Sequence, residues 1–239
     1  MSKGIDISKW QGNIDWNVLA SSKCVDFVII RAGVSLDKDT KFEANYAGCK
    51  KYKIPCGVYF YSYAKTIAEA EAEAKTFLKT IAGKQFEYPV YFDIEDKSQM
   101  NLPKKLLTDI CIAWCDIVEK AGYYVGIYSN PDWFINRLDT NRLTRFDKWL
   151  AHWASKPMWG NEFGGMWQYS CQGKIAGISG DVDLDESYRD YPSIIRNAKL
   201  NGYGKHTVIA TKYDLSDSEA RELKVKCENL GMTAVVKNG

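Results

Sequence analysis

The sequence predicts an α/β fold, an irregular TIM-like barrel of five β/α units followed by three strands, and three patterns carry this prediction. Short β-like runs alternate with helical patterns through the first half of the chain. Several of these runs are continuously apolar, which is typical of strands buried on both faces of a parallel sheet. After residue 153 glycine and proline punctuate the connections, so we expect loops or hairpins between the last three strands.

The individual elements follow from apolar periodicity and from end signals. The predicted strands are Gly4–Ser8, Asp26–Ala32, Cys56–Tyr63, Pro89–Glu95, Tyr123–Ser129, Lys148–Trp153, Gly165–Ser170 and Gly180–Asp185. The predicted helices are Ile14–Ser22 with Asn13 as its cap, Lys41–Lys53, Thr66–Ala82 and Leu102–Ala121, which Gly122 ends. Together these elements fill residues 1–200 as one barrel domain.

A small appendage is expected after the barrel. Residues 201–204 contain two glycines and predict a linker, and residues 205–239 read as a βαβ module. Its predicted elements are a strand Thr207–Lys212, a helix Ser216–Leu230 with Ser216 and Glu219 as a capping box, and a strand Met232–Lys237. So short a module buries little apolar surface alone. We expect it to pack on the barrel, pair with another copy, or belong to a longer module.

Composition narrows the class of protein and its partners. A hydrophobic content of 46% and a charged content of 26% are those of a globular protein, and a net charge of +2 gives no field that would attract nucleic acid. No apolar stretch approaches the ~20 residues needed to span a bilayer. The first residues enter a strand without a signal-peptide pattern, which predicts synthesis in a cytoplasm.

The cysteines do not suggest a disulfide framework or a metal site. Their number is seven, an odd count without framework spacing, so free buried thiols are expected. Cys111 and Cys115 share one helical face, but the chain has only two histidines and no second cysteine pair with ligand spacing. Structural zinc is therefore not expected.

A strand that ends in two carboxylates is the most informative local pattern. Residues 89–95 read Pro-Val-Tyr-Phe-Asp-Ile-Glu, and alternation places Asp93 and Glu95 on the same face, ~6.6 Å apart along the strand. Mutual repulsion and apolar neighbours would raise the pKa of the less solvated acid and leave its partner ionised. Glycosidic bond cleavage uses such a pair. The alternative is a strand end with one capping acid and one solvated acid.

Two further acids are expected near this pair. Asp6 lies in the first predicted strand and Asp183 in the eighth, and chemistry in a β/α barrel collects where strand ends meet at one mouth. Four carboxylates in one place are costly to bury, so their convergence indicates a functional site.

Eight stretches of the chain occur in an order that resembles a known family. They are residues 4–12 (GIDISKWQG), 27–33 (FVIIRAG), 57–62 (GVYFYS), 93–95 (DIE), 126–129 (GIYS), 149–153 (WLAHW), 167–170 (WQYS) and 180–183 (GDVD). In this register they resemble the family 25 glycoside hydrolases, the Chalaropsis-type lysozymes, which are N-acetylmuramidases of phage endolysins and bacterial autolysins. The resemblance covers residues 4–195 and implies the same irregular barrel.

The resemblance also implies roles for the acids. Glu95 matches the general acid that protonates the leaving oxygen, and Asp93 matches the carboxylate that stabilises the oxocarbenium-like state or orients the 2-acetamido group of the substrate. Asp6 and Asp183 match the two other acids of the cleft. Asp181 shares the face of Asp183 and is a candidate for substrate binding, although an acid in the loop before the strand is the better interpretation of it.

The resemblance to the family also implies substrate-binding positions in the cleft. Aromatic rings there would stack on sugar faces, and core packing is the alternative interpretation for each ring. The expected substrate-binding residues are Tyr59, Tyr61, Tyr128, Trp153, Trp167 and Arg31. Arg31 could contact the acetamido or lactyl group, or form a salt bridge with a neighbouring acid. The implied mechanism needs no metal and no cofactor.

The function that this resemblance implies is hydrolysis of the bond between N-acetylmuramic acid and N-acetylglucosamine in peptidoglycan. The expected setting is a phage endolysin, made in the host cytoplasm and released to act on the wall, with an exported autolysin as the alternative. Residues 205–239 would bind the wall or join chains into a homo-oligomer. The alternative from another functional class is a wall-binding protein that has kept the barrel and lost hydrolysis. A chitinase is disfavoured because Val90, Tyr91 and Phe92 stand where its longer acidic motif would lie.

Overall fold

The computed structural model describes residues 1–158, 164–204 and 216–229, and the chain divides into the compact units Met1–Lys205 and His206–Gly239. The strands within these residues are β1 (Ser2–Ile7), β2 (Phe27–Val34), β3 (Asp37–Lys38), β4 (Cys56–Tyr61), β5 (Val90–Asp93), β6 (Val125–Ser129), β7 (Asp147–Ala151), β8 (Met166–Gly173) and β9 (Val182–Ser187). The helices are α1 (Trp16–Ser22), α2 (Phe42–Lys51), α3 (Ile67–Thr80), α4 (Lys104–Lys120), α5 (Tyr191–Asn197) and α6 (Asp217–Asn229).

Eight of these strands close into a barrel, which confirms the predicted fold class. Their order is β1, β9, β8, β7, β6, β5, β4 and β2, and pairing of β1 with β2 closes the ring. The short strand β3, which was not predicted, is not part of this ring and pairs antiparallel with β2. All neighbouring barrel strands run parallel except at β9, which is antiparallel to both β1 and β8.

The reversed direction of β9 corrects one expectation about Asp183. We expected this acid at the end of a strand, whereas it is the second residue of β9. The turn between β8 and β9 reverses the chain, with Gly177 and Gly180 both at φ +90°, a region that glycine adopts without a steric penalty. The start of β9 therefore lies beside the carboxyl ends of the other strands.

The helix ends show which local signals were correct. Asp15, not Asn13, caps α1, because its Oδ1 accepts hydrogen bonds from the amides of Asn17 and Val18. Thr66 and α3 form a capping box, and Gly122 follows α4 in a left-handed conformation at φ +88°. After β6, where no individual helix was predicted, the chain forms a π-helical turn at Trp133–Arg137 and a 3₁₀ turn at Thr140–Leu143.

The second unit is described only around α6. Ser216 and Glu219 form the predicted capping box at its start, with the Ser216 amide donating to Glu219 Oε2 at 2.9 Å. The predicted strands Thr207–Lys212 and Met232–Lys237 lie outside the described residues. Among the helices in the described part of the chain, none is long and apolar enough to cross a membrane.

Alternation along the strands separates two apolar layers. Outward side chains such as Val28, Val58 and Ile127 pack against the helices. Inward side chains form a second, aromatic cluster that includes Tyr91 and Trp149. Glycines make room for these rings: a Cβ at position 126 would lie 2.4 Å from the Tyr91 ring. The barrel interior is thus a packed floor below the mouth at which the acids lie.

Candidate active site

The structure brings four acids that the sequence singled out to one end of the barrel. Asp6 and Asp183 are cross-strand partners on β1 and β9, while Asp93 ends β5 and Glu95 follows two residues later in the loop. Burial is the largest cause of the raised pKa of Asp6 and of Glu95, and the charges of the cluster add to it: Asp183 and Asp93 act on Asp6, and Asp183 also acts on Glu95. The four carboxyl groups therefore form one electrostatic cluster.

Asp93 and Glu95 differ in solvation and in partners. Asp93 is only 3% exposed, and burial followed by the charge of Glu95 raises its pKa well above the usual value, while the Arg31 guanidinium opposes the rise. Glu95 is less buried; its Oε2 accepts a hydrogen bond from Asn130 Nδ2 at 3.1 Å. Burial raises the pKa of Glu95, and the Asn130 bond lowers it.

This geometry changes the electrostatic expectation for the pair. The sequence predicted one acid with a raised pKa beside an ionised one, whereas burial raises the pKa of both. The less solvated acid is Asp93, although the family resemblance gives the catalytic proton to Glu95. Arg31 favours an ionised Asp93, although burial and the charge of Glu95 still hold the pKa of Asp93 above its usual value.

Three carboxyl groups from two adjacent strands lie beside this pair. Burial is the largest cause of the raised pKa of Asp6, of Asp185 and of Asp183, and for Asp183 the pKa rises to about 6. Repulsion adds to the effect, because Asp183 and Asp185 both act on Asp6. Asp185 was not singled out in the sequence, although it continues the alternation of Asp183 along β9.

Gln168 on β8 connects several groups of the site. Its Oε1 accepts hydrogen bonds from Tyr128 Oη and Trp153 Nε1, each at 3.0 Å, and its Nε2 donates to Asp6 Oδ2 at 2.7 Å. The latter bond lowers the pKa of Asp6 against the effect of burial. One buried amide thus fixes a carboxyl group, a phenol and an exposed indole in one arrangement.

Arg31 forms the salt bridge that was one of its two predicted roles. Its Nε donates to Asp39 Oδ2 at 2.7 Å, and its Nη2 lies 2.7 Å from the same oxygen. Asp39 also accepts from the backbone amides of Lys9 and Lys41. Asp39 therefore joins the segments that follow β1 and β3 and orients the guanidinium that acts on Asp93.

The candidate aromatic residues separate into buried and exposed groups. Tyr128 and Tyr59 pack edge-on against Trp149, with ring centroids 4.5 and 5.9 Å away. Tyr61 Oη donates to Asp96 Oδ2 at 3.1 Å. Trp153, just beyond the end of β7, is 61% exposed although its indole nitrogen is held by Gln168. Its ring is thus both fixed and open to a ligand.

Two other candidates lie away from the acids. Alternation on β8 places Trp167 on the face opposite Gln168, where its Nε1 donates to the carbonyl of His152 at 2.7 Å. Asp181 is exposed before β9 and its Oδ1 lies 2.7 Å from Lys174 Nζ. A packing role for Trp167 and a surface ion pair for Asp181 account for these positions.

The arrangement is suited to proton transfer on a ligand that also stacks on aromatic rings. Two carboxyl groups of different solvation are what general acid catalysis with a second stabilising carboxylate requires. Within the described residues, no group of three or more His, Cys, Asp or Glu side chains is arranged to hold a metal ion.

Comparison with known proteins gives a family match across most of the barrel. The family described as "Glycosyl hydrolases family 25" matches residues 5–178. An autolytic lysozyme of Clostridium acetobutylicum is 29% identical over 77% of this chain and 55% of its own length. An N,O-diacetylmuramidase of Arthroderma benhamiae is 30% identical over 70% of this chain and 73% of its own.

A solved structure shares the fold. The modular autolysin LytC of Streptococcus pneumoniae, in complex with a synthetic peptidoglycan ligand, superposes with a TM-score of 0.70 and 29% identity. The match covers 77% of this chain and 46% of the autolysin chain. This chain therefore spans about half the length of that autolysin and of the clostridial lysozyme.

Proposed function

The chain belongs to glycosyl hydrolase family 25, and from this membership we propose that it hydrolyses the β-1,4 bond between N-acetylmuramic acid and N-acetylglucosamine in peptidoglycan. The observation that carries the proposal is the Asp93–Glu95 pair at a barrel mouth beside the exposed ring of Trp153. The lysozyme and muramidase names of the relatives, and the peptidoglycan ligand of the autolysin, support the substrate class.

In the proposed mechanism Glu95 protonates the leaving glycosidic oxygen. Its partial exposure gives access to substrate, and burial raises its pKa, which favours the protonated form that a general acid needs. Asp93, beside Arg31, acts as the carboxylate that stabilises the oxocarbenium-like state or holds the 2-acetamido group for attack with retention. Asp6 and Asp183 keep the site negative as positive charge develops on the sugar.

The proposed setting is the bacterial cell wall, as the endolysin- and autolysin-type relatives suggest. Synthesis in a host cytoplasm with later release, and a wall-binding or chain-pairing role for residues 205–239, remain predictions from the sequence. Trp167 donates to the His152 carbonyl and Asp181 pairs with Lys174, so the proposed mechanism gives neither residue a part in substrate binding.

Product analysis tests the bond that is cleaved. The full chain is incubated with purified peptidoglycan, and the soluble products are reduced with borohydride and identified by mass spectrometry. A muramidase yields muropeptides with reduced muramic acid at their ends. Products with reduced N-acetylglucosamine would contradict the proposed bond, and wall binding without any product would favour the inactive wall-binding barrel.

Trp153→Ala is expected to raise KM for peptidoglycan about three- to tenfold with a smaller change in kcat, the size of one aromatic stacking contact. The matched variant is Trp153→Phe, which keeps a flat ring but removes the indole donor to Gln168. Initial rates measured against substrate concentration for both variants separate the stacking role of the ring from the hydrogen-bonding role of the indole nitrogen. An unchanged KM in Trp153→Ala would show that the exposed ring does not contact the glycan.

A further inference from the structure

Asp185 is a fully buried acid inside the barrel that the proposed mechanism does not use. It lies on β9, opposite Gly4 of β1 and Gln168 of β8. Its Oδ1 accepts a hydrogen bond from Trp149 Nε1 at 2.8 Å, whereas its Oδ2 is buried without a hydrogen-bond partner. A buried polar atom that lacks a partner is uncommon and costly.

The indole that Asp185 holds forms part of the floor of the site. The Trp149 ring lies against Tyr128, Tyr91 and Tyr59, with centroids 4.5, 5.1 and 5.9 Å away. Tyr128 in turn donates to Gln168, and Gln168 donates to Asp6. A continuous set of contacts therefore leads from Asp185 to a carboxyl group at the mouth.

The groups that face Asp185 provide no positive charge. The titratable side chains that interact with it are Asp6 on β1, Asp183 on β9, Tyr91 on β5 and Tyr169 on β8. Among the described residues no ion pair includes Asp185. An ionised carboxylate in this position would carry an uncompensated buried charge, which is strongly unfavourable. A protonated carboxyl avoids this cost and still accepts the Trp149 bond.

We propose that Asp185 is a positioning residue that works as a neutral carboxylic acid, fixing Trp149 and through it the Tyr128–Gln168–Asp6 wall of the cleft. The effect of Asp185 on catalytic rate rests on the proposed peptidoglycan hydrolysis. Its protonation state is independent of that activity, so the two can be tested separately.

The kinetic test compares Asp185→Leu with Asp185→Asn in the full chain on purified peptidoglycan. Leucine removes the acceptor and is expected to lower kcat/KM at least about tenfold, as small displacements of an active-site wall do. Asparagine keeps both the acceptor and the neutral state, so it is expected to rescue most of this loss and to leave the acid limb of the pH profile in place. An acid limb shifted to lower pH in Asp185→Asn would show that a negative charge had been removed, and would overturn the proposal.

Trp149→Phe shows whether Asp185 acts through the indole. It removes the donor, so Asp185→Leu is expected to add little further loss when both changes are combined. Fully additive losses would overturn action through Trp149. Wild-type activity in the same assay checks the proposed function itself.

Thermal unfolding between pH 4 and pH 8 tests the buried proton without any assay of activity. Asp185 has a raised pKa in the folded chain, so its contribution to stability is complete below the unfolded pKa of ~3.9 and is lost as pH rises toward the folded value. Asp185→Asn has no carboxyl group to ionise and therefore does not lose this stability as pH rises. Its Tm relative to wild type is expected to increase steadily with pH, and a constant difference would overturn the neutral carboxyl even if the wild type hydrolyses nothing.

Discussion

Glu95→Gln is expected to lower kcat on peptidoglycan about 10²–10⁴-fold, the usual contribution of a positioned general acid. Glutamine has nearly the same volume and its carbonyl oxygen can still accept the Asn130 bond, which spans 3.1 Å to Glu95 Oε2. Its amide is not acidic and cannot protonate the leaving oxygen. KM should change by only a few-fold, and release of reducing ends under saturating substrate measures the loss.

Glu186→Gln provides the matched control for this change. Glu186 lies on β9, but alternation turns it to the face opposite Asp183 and Asp185, at the end of the strand away from the mouth. The same chemical substitution there should leave kcat within about twofold, because Glu186 lies on the other face of β9 from the acids and accepts only from Tyr188 among the hydrogen bonds that the structure records for it. Activity of Glu95→Gln close to that of Glu186→Gln would remove Glu95 from the role of acid.

The fold could be predicted from the sequence because a β/α barrel has a local signature. Apolar runs such as Phe27–Val34 and helix signals such as the Thr66 capping box each act over a few residues. The direction of β9 could not be read in this way, since it depends on how the β8–β9 turn folds. The short helices after β6 were likewise missed because their pattern lacks a helical period.

The acids of the site were visible as strand-associated carboxylates, but their partners were not. Gln168 and Asp6 are 162 residues apart in the chain, and only barrel closure brings the amide to the carboxyl group. Asp39 directly follows β3, eight residues beyond Arg31, and the β2–β3 turn brings the two side chains together. Asn130 and Asp185 carried weak signals, the first as the residue after β6 and the second as the next inward position after Asp183.

These hidden partners matter because they act on the protonation of the Asp93–Glu95 pair. From burial alone Asp93 would hold a proton more firmly than Glu95, since Asp93 is the less exposed of the two. The salt bridge to Asp39 keeps Arg31 beside the site, and the Arg31 charge lowers the pKa of Asp93. Catalysis by Glu95 as the acid therefore requires that this effect and the bound substrate keep Asp93 ionised.

Asp181→Asn serves as the control for a test of that requirement. Asp181 is an exposed acid close in sequence to Asp183, and its carboxylate pairs with Lys174 at the surface. Neutralising it should change kcat less than about twofold and leave the pH profile of kcat/KM unchanged, because solvent and salt screen exposed charges.

Asp93→Asn is expected to lower kcat about 10²–10³-fold, the loss typical of removing one electrostatic stabiliser of the transition state. It should also move the alkaline limb of the residual activity to lower pH. Burial and then the charge of Glu95 raise the pKa of Asp93, and because this repulsion is mutual, an ionised Asp93 would favour the protonated form of Glu95. Asparagine carries no charge, so Glu95 would then lose its proton at lower pH. The pH dependence of kcat/KM for wild type, Asp93→Asn and Asp181→Asn measures the shift. If Asp93 instead works while protonated, asparagine resembles it closely, and the variant would retain most of its activity with both limbs in place.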